Sequence, residues 1–226
     1  MVSMWRDSAL VAGKDLRIEL RSRVVLHQVA PVAVLVLLLF AFALGPDRAT
    51  TVRAAAGVFW VAVLFATVLA VQRSFAVEAS EGTRDGLRLA GLDPAGVFLG
   101  KAAAIAAELV VLEVLLAVGV VWLYGAHVRS VGPLVVAGAA GTVGLAAAGT
   151  LYGALAAGLR VRETLLPFLL LPVVAPVVVA GTRAWQAALG TGAGGAWDPW
   201  VVLLIVFAAV YLSIGVLLFG QLQESS

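Results

Sequence analysis

Cysteine is absent from all 226 residues. That excludes disulfides, thiolate metal sites and covalent c-type haem attachment, which needs a CxxCH motif. Charge is scarce: Asp, Glu, Lys and Arg make up 12% of the chain, against about 25% in a soluble domain. Signatures of hydrolysis are missing, with no HExxH, no GxSxG and no GxxxxGK[ST]. The chain is therefore not expected to be an enzyme, and energised work would draw on ATP hydrolysed by another subunit. The first twenty residues hold no continuous apolar core, so a cleavable signal peptide is not expected.

What the chain has instead is apolar sequence. Hydrophobic residues make up 62% of it and mean hydropathy is +1.07, the composition of an integral membrane protein. Fifteen Lys and Arg stand against thirteen Asp and Glu, too small a surplus to suggest nucleic-acid binding.

Residues 4–23 interleave Trp5, Leu10, Val11, Leu16, Ile18 and Leu20 with Arg6, Lys14, Arg17, Arg21 and Arg23. The spacing predicts an amphipathic helix in the headgroup region, with Trp5 as anchor; the alternative is a solvated basic tail. Apolar runs then predict six spans, at about 24–44, 54–76, 98–124, 131–159, 164–181 and 200–220. The expected fold is all-α and polytopic. Eleven Lys and Arg fall on the side of the N-terminal segment, the loop between spans 2 and 3 and the loop between spans 4 and 5. Four fall on the other side, so both termini are expected in the cytoplasm.

The longest polar interruption, Glu78 to Lys101, carries Glu78, Glu81, Arg84, Asp85, Arg88, Asp93 and Lys101 among many leucines. It reads as one or two short surface helices broken at Asp93-Pro94, something a soluble partner can push on. Span 4 is rich in glycine, with a GxxxG at Gly149 and Gly153, which fits an internal seam or a dimer seam. Span 5 contains Pro167, Pro172 and Pro176, a moving part or a static bend. Glu108 and Glu113 stand inside span 3, about 140° apart around a helix. Either they are protonated or snorkelling structural groups, or they serve a substrate path or subunit contact. His27 and His127 are weak candidates for haem ligation beside the plainer reading as interfacial histidines. Residues 182–199 read as a glycine-rich outer loop ending in the aromatic cluster Trp197-Asp198-Pro199-Trp200.

The loop EASEGTRDGLRLAGLDPAGVFLGK is similar to the E-x-x-EGT-x-x-x-L…P…GK pattern after the second span of ABC-2-type transporter permeases. With KDLRIELRSR, LLLFAFALGPD, GVFWVAVLFATVLAVQRSF and GTLYGALAAGLRVRETLLPFLLLPVVAPVVV, the chain resembles the haem exporter protein B (CcmB) family of cytochrome c maturation over roughly residues 10–185. The resemblance implies a single permease domain spanning 1–226, with a cytoplasmic coupling helix between spans 2 and 3. It implies an ABC ATPase partner contacted through Glu78, Glu81, Gly82, Thr83, Asp85 and Leu87. It further implies a second copy of the chain, a haem-handling C subunit, a small D subunit and the haem chaperone E. The location would be the bacterial inner membrane. No catalytic residue, metal or bound cofactor of its own is expected, with haem b as substrate. Haem would pass through the subunit, or the subunit would transmit ATP-driven motion to the C subunit; scarce buried polar groups favour the second. An ABC-2 permease for a lipid or drug, and a non-transporting scaffold for haem-handling proteins, are the rival expectations.

Overall fold

A computed structural model describes residues 2–23, 25–45, 47–80, 91–157, 162–192 and 196–225. Among these, every regular element is helical. Seven α-helices run in order: α1 (Val2–Ser22), α2 (Ala30–Ala43), α3 (Arg48–Ser80), α4 (Pro94–Tyr124), α5 (Val131–Ala157), α6 (Arg162–Leu189) and α7 (Asp198–Ser225). A π turn, Val25–Val29, leads into α2. Pro31 follows it near the start of α2. Proline has no N–H to close an α-type bond, which is why the register widens there.

The chain is a polytopic all-α membrane protein. Helices α3 to α7 are each long and apolar enough to cross a bilayer. Fourteen-residue α2 spans only about 21 Å and is bent by 58° from the helix before it, so the number of crossings among the described residues is five, or six if that bent pair is one broken span. The apolar windows of α3 and α5 are 67% buried and that of α7 only 22%. Thus α3 and α5 form the inner layer and α7 the lipid-facing edge. Helix α5 packs against α3, α4, α6 and α7, and α2 lies against α3 and α4. The Tyr124 hydroxyl at the end of α4 donates to the Leu37 carbonyl of α2 at 2.8 Å, tying two spans inside the core.

Three of the boundaries that differ from the sequence expectation have a visible cause. Span 2 begins at Arg48 rather than residue 54, because Asp47 caps it: its carboxylate accepts from the backbone of Ala49 and Thr50, both at 3.2 Å. Asp93-Pro94 starts α4, a membrane-crossing helix rather than a second short surface helix; the stretch before it, residues 81–90, lies outside the described residues. Asp93 is the N-cap, accepting from Ala95 N at 2.9 Å, and Pro94 takes the first helical position, where its missing donor costs nothing. Val97 and Phe98 are therefore buried in a long span rather than lying at the surface. Helix α6 continues past residue 181 to Leu189, because Ala184, Trp185, Ala188 and Leu189 carry its buried face onward. It runs through all three prolines without interruption. The connection after α6 thereby shortens to residues 190–197, and the amides of Arg129 and Ser130, between α4 and α5, both donate to the Ala188 carbonyl near the end of α6 at 3.2 Å.

Candidate functional site

Glu81, Gly82, Thr83, Asp85 and Leu87 lie outside the described residues, and Glu78 falls in the last turns of α3. The two helices that flank the loop are described, and their ends meet at one residue.

That residue is Lys101, seven positions into α4, or about 10 Å along its axis. It is 1% exposed. An ammonium so buried needs charged and polar partners. Its Nζ lies 3.4 Å from Asp15 Oδ2 of α1, donates to Ser74 Oγ of α3 at 3.2 Å, and sits 4.7 Å from the centre of the Phe75 ring. The ring face adds cation–π attraction. Asp15 also binds Lys14 at 2.5 Å, so one carboxylate serves two ammonium groups. Lys101 thus joins three helices: the one that enters the loop, the one that leaves it, and the N-terminal one.

Helix α1 does more than lie at a surface. It packs along the start of α4, and glycines on α4 permit the approach. A Cβ at Gly96 would come to 2.8 Å from the Met4 carbonyl oxygen, and one at Gly100 to 2.7 Å from Val11 Cβ. Because part of what stands there is backbone, neither site can accept a side chain without moving the helix. Asp7, 5% exposed, accepts from the Asp93 backbone at 3.1 Å and fixes the register of α1 against the first turn of α4. Val11 is buried in this contact while Trp5, Leu10 and Leu20 stay exposed. The amphipathic reading of residues 4–23 thus holds, with a protein partner for part of the apolar face.

The two intramembrane glutamates separate. Glu108 is half-buried and lines a cleft of about 380 Å³ with Leu16, Glu19, Leu20 and Arg23 of the α1 region. Its described basic neighbour in the cleft is Arg23. Arg160 lies outside the described residues, as does the side chain of Arg162. Glu113 is buried against α5. Thr142 Oγ1 lies 2.6 Å from Glu113 Oε1 and 2.8 Å from the Gly138 carbonyl. One hydroxyl donates one hydrogen, so both contacts are hydrogen bonds when the carboxyl brings its own proton and donates back. Hence Glu113 joins two helices. Thr142→Val is expected to lower stability by about 0.6–1.7 kcal/mol, the range for hydrogen bonds between membrane helices. Glu113→Gln should lose little, since its amide can donate to the same hydroxyl. Unfolding in mild detergent reads both.

Apart from Gly132 in its first turn, the glycines of α5 face inward. Gly149 and Gly153, the GxxxG pair, abut Val71 and Phe75 of α3; Gly141 abuts Trp60 of α3, and Gly144 abuts Phe207 of α7. The stripe is an internal seam. His27 and His127 are exposed, and no group of three or more His, Asp or Glu among the described residues is placed to hold a metal ion.

Sequence reasoning placed Lys101 in the loop pattern but gave it no partner. Asp15, Ser74 and Phe75 were missed. The available signal was a lysine beginning an apolar run, since a cation at that depth needs a carboxylate. The spacing of 86 residues to Asp15 offered nothing local to find it by.

A family described as CcmB protein matches residues 7–221. The chain is 32% identical over 176 residues to Heme exporter protein B of Paracoccus denitrificans (strain Pd 1222), covering 76% of each chain. It is 30% identical over 182 residues to Heme exporter protein B of Rhodobacter capsulatus, covering 76% of this chain and 78% of the relative. To Heme exporter protein B of Pseudomonas aeruginosa it is 30% identical over 159 residues, covering 69% and 70%. The family match takes in α1, both loop flanks and Lys101 with its partners, and on that extent the chain belongs to the CcmB protein family.

Proposed function

We propose that the chain is the membrane permease subunit of an ABC-type haem exporter serving cytochrome c maturation. Family membership carries the reading: three relatives bear the name Heme exporter protein B. The subunit sits in the bacterial inner membrane with both termini in the cytoplasm, as the distribution of Lys and Arg favours. A partner ATPase hydrolyses ATP. A second copy of the chain, the haem-handling C subunit, the small D subunit and the haem chaperone E complete the assembly.

The mechanism is mechanical. Residues 81–90 dock on the ATPase, and Glu78, Glu81, Gly82, Thr83, Asp85 and Leu87 form the contact. Closure of the ATPase displaces the ends of α3 and α4 together, because Lys101 ties them to each other and to α1. A long helix moved at one end tilts along its whole length, so the push reaches the outer face. Haem is then released to the chaperone.

Charge reversal, Glu81→Lys, tests the contact. Haem transfer to the chaperone should fall at least about tenfold, a loss within the usual range of coupling energies, while the ATPase keeps turning over and the complex stays in the membrane. Unimpaired transfer in that variant removes the docking role. An ATPase-dead partner separates the reading from a scaffold, which would tolerate that loss. Copurification of a haem chaperone and a C subunit separates it from a permease for lipids or drugs.

A further inference from the structure

Arg73 has no part in the clasp that Lys101 makes with Asp15, Ser74 and Phe75, although it lies one residue from Ser74. It is half-buried near the loop end of α3, seven residues or about 10 Å before the helix stops. Among the described residues, no carboxylate forms an ion pair with it; its charge reaches Glu108 only through space. A half-buried cation on a membrane-crossing helix calls for an anion. It faces a cleft.

The cleft has a volume of about 340 Å³ and lies between the π turn before α2 and helices α3, α5 and α6. That is the low end of the roughly 300–1,000 Å³ range of ligand sites. Its lining divides in two. Arg73, Gln72 and Gln28 supply hydrogen-bond donors; Val32, Leu69 and Phe75 stand for the apolar part. Gln28 and Val32 at the rim are exposed, so the cleft is open and can hold one edge of a larger molecule. The π turn brings Gln28 to this wall, and π turns gather at functional sites. The opposite wall is fixed, because the Phe75 ring is held between the Lys101 ammonium and Gly153.

We propose that this cleft binds an anionic amphiphile. Its carboxylate or phosphate group pairs with Arg73 and accepts from Gln28, and its apolar body lies along Val32 and Leu69. Guanidinium recognises both anions in a two-pronged geometry. Two sources share this chemistry: the propionate edge of haem, which rests on the haem-export reading above, and the headgroup of an anionic phospholipid, which does not.

The test uses the full chain in phosphatidylcholine nanodiscs. Haem b and its dimethyl ester are titrated and followed by absorbance and tryptophan quenching. In a second arm, phosphatidylglycerol is added and its retention is measured by native mass spectrometry. Haem should bind at least about tenfold more tightly than the ester, and both Arg73→Gln and Leu69→Trp should weaken it by about as much. Retention of phosphatidylglycerol that depends on Arg73, with haem indifferent to the substitution, supports the cleft with lipid as its occupant and counts against haem entry alone. Binding of both probes unchanged by Arg73→Gln and Leu69→Trp overturns the site while leaving haem export standing. The ester comparison uses the unaltered chain, so equal binding of haem and ester excludes the propionate contact even where a variant fails to fold.

Discussion

Lys101→Met is expected to destabilise the protein by about 3 kcal/mol and to free α1 from α4. Breaking a buried ion pair costs about 3–5 kcal/mol, because the partner is left charged and poorly solvated. The lower end applies, since Asp15 keeps Lys14 at 2.5 Å and its side chain is 12% exposed. Methionine fills similar space, so packing changes little and the loss reports the charge. Asp15→Leu combined with Lys101→Met should recover part of the stability, because the isolated carboxylate is then gone as well. A double-mutant cycle gives the coupling directly, and a value near zero would mean that the three helices are held by packing alone. Val11 offers a local reading. It is 2% exposed beneath α1, and the chain has no cysteine, so Val11→Cys is a single thiol. It should resist a maleimide in the parent protein and react once Lys101 is replaced. Haem transfer should fall in Lys101→Met even at temperatures where the protein remains folded, since displacement of the loop would no longer move α3, α4 and α1 as a unit.

Sequence legibility followed the range of the interaction. The spans were readable because an apolar run of about 20 residues has few fates other than crossing a bilayer, and the amphipathic spacing of residues 4–23 survives as α1. The end of α6 was misread at Gly181-Thr182-Arg183, where a glycine and a charge imitate a stop. Gly181 is there because the Trp60 ring lies against it, and Arg183 is exposed on the far side of a helix that continues. Asp93-Pro94 carries the same local signal for a break as for a start; the difference is the Asp93 side chain turning onto Ala95 N. The clasp was invisible for a different reason. Lys101, Ser74 and Asp15 come from three helices, and no local pattern specifies which lysine meets which carboxylate. Glu113 lay between the two: its depth marked it as unusual, but Thr142 as its partner required the packing of α4 on α5.

Gly181→Val and Gly141→Val should both be strongly damaging, although neither removes a charge. Trp60 is fully buried, and its indole reaches from α3 to both glycines, one on α5 and one on α6. A Cβ at either position would meet the ring inside van der Waals contact. The ring cannot retreat, because Phe59 and Trp185 pack beside it at 5.7 and 6.1 Å between centroids. Overpacking of this kind costs about 1–3 kcal/mol per site, and more where the neighbour is rigid. Gly13→Ala in the middle of α1 is the control: apart from its chain neighbours nothing lies within 4 Å of the added methyl, so the exchange should be neutral or stabilise α1 by up to about 1 kcal/mol. Shrinking the wedge should reverse the effect, and Gly181→Val should cost less in a Trp60→Leu background than in the parent chain. The same pair decides what the small-residue stripe is for. If it served chiefly to join two copies, Gly141→Val would weaken self-association and spare the monomer. Because the ring that fills the space belongs to the same chain, the loss of stability should instead be independent of protein concentration in detergent.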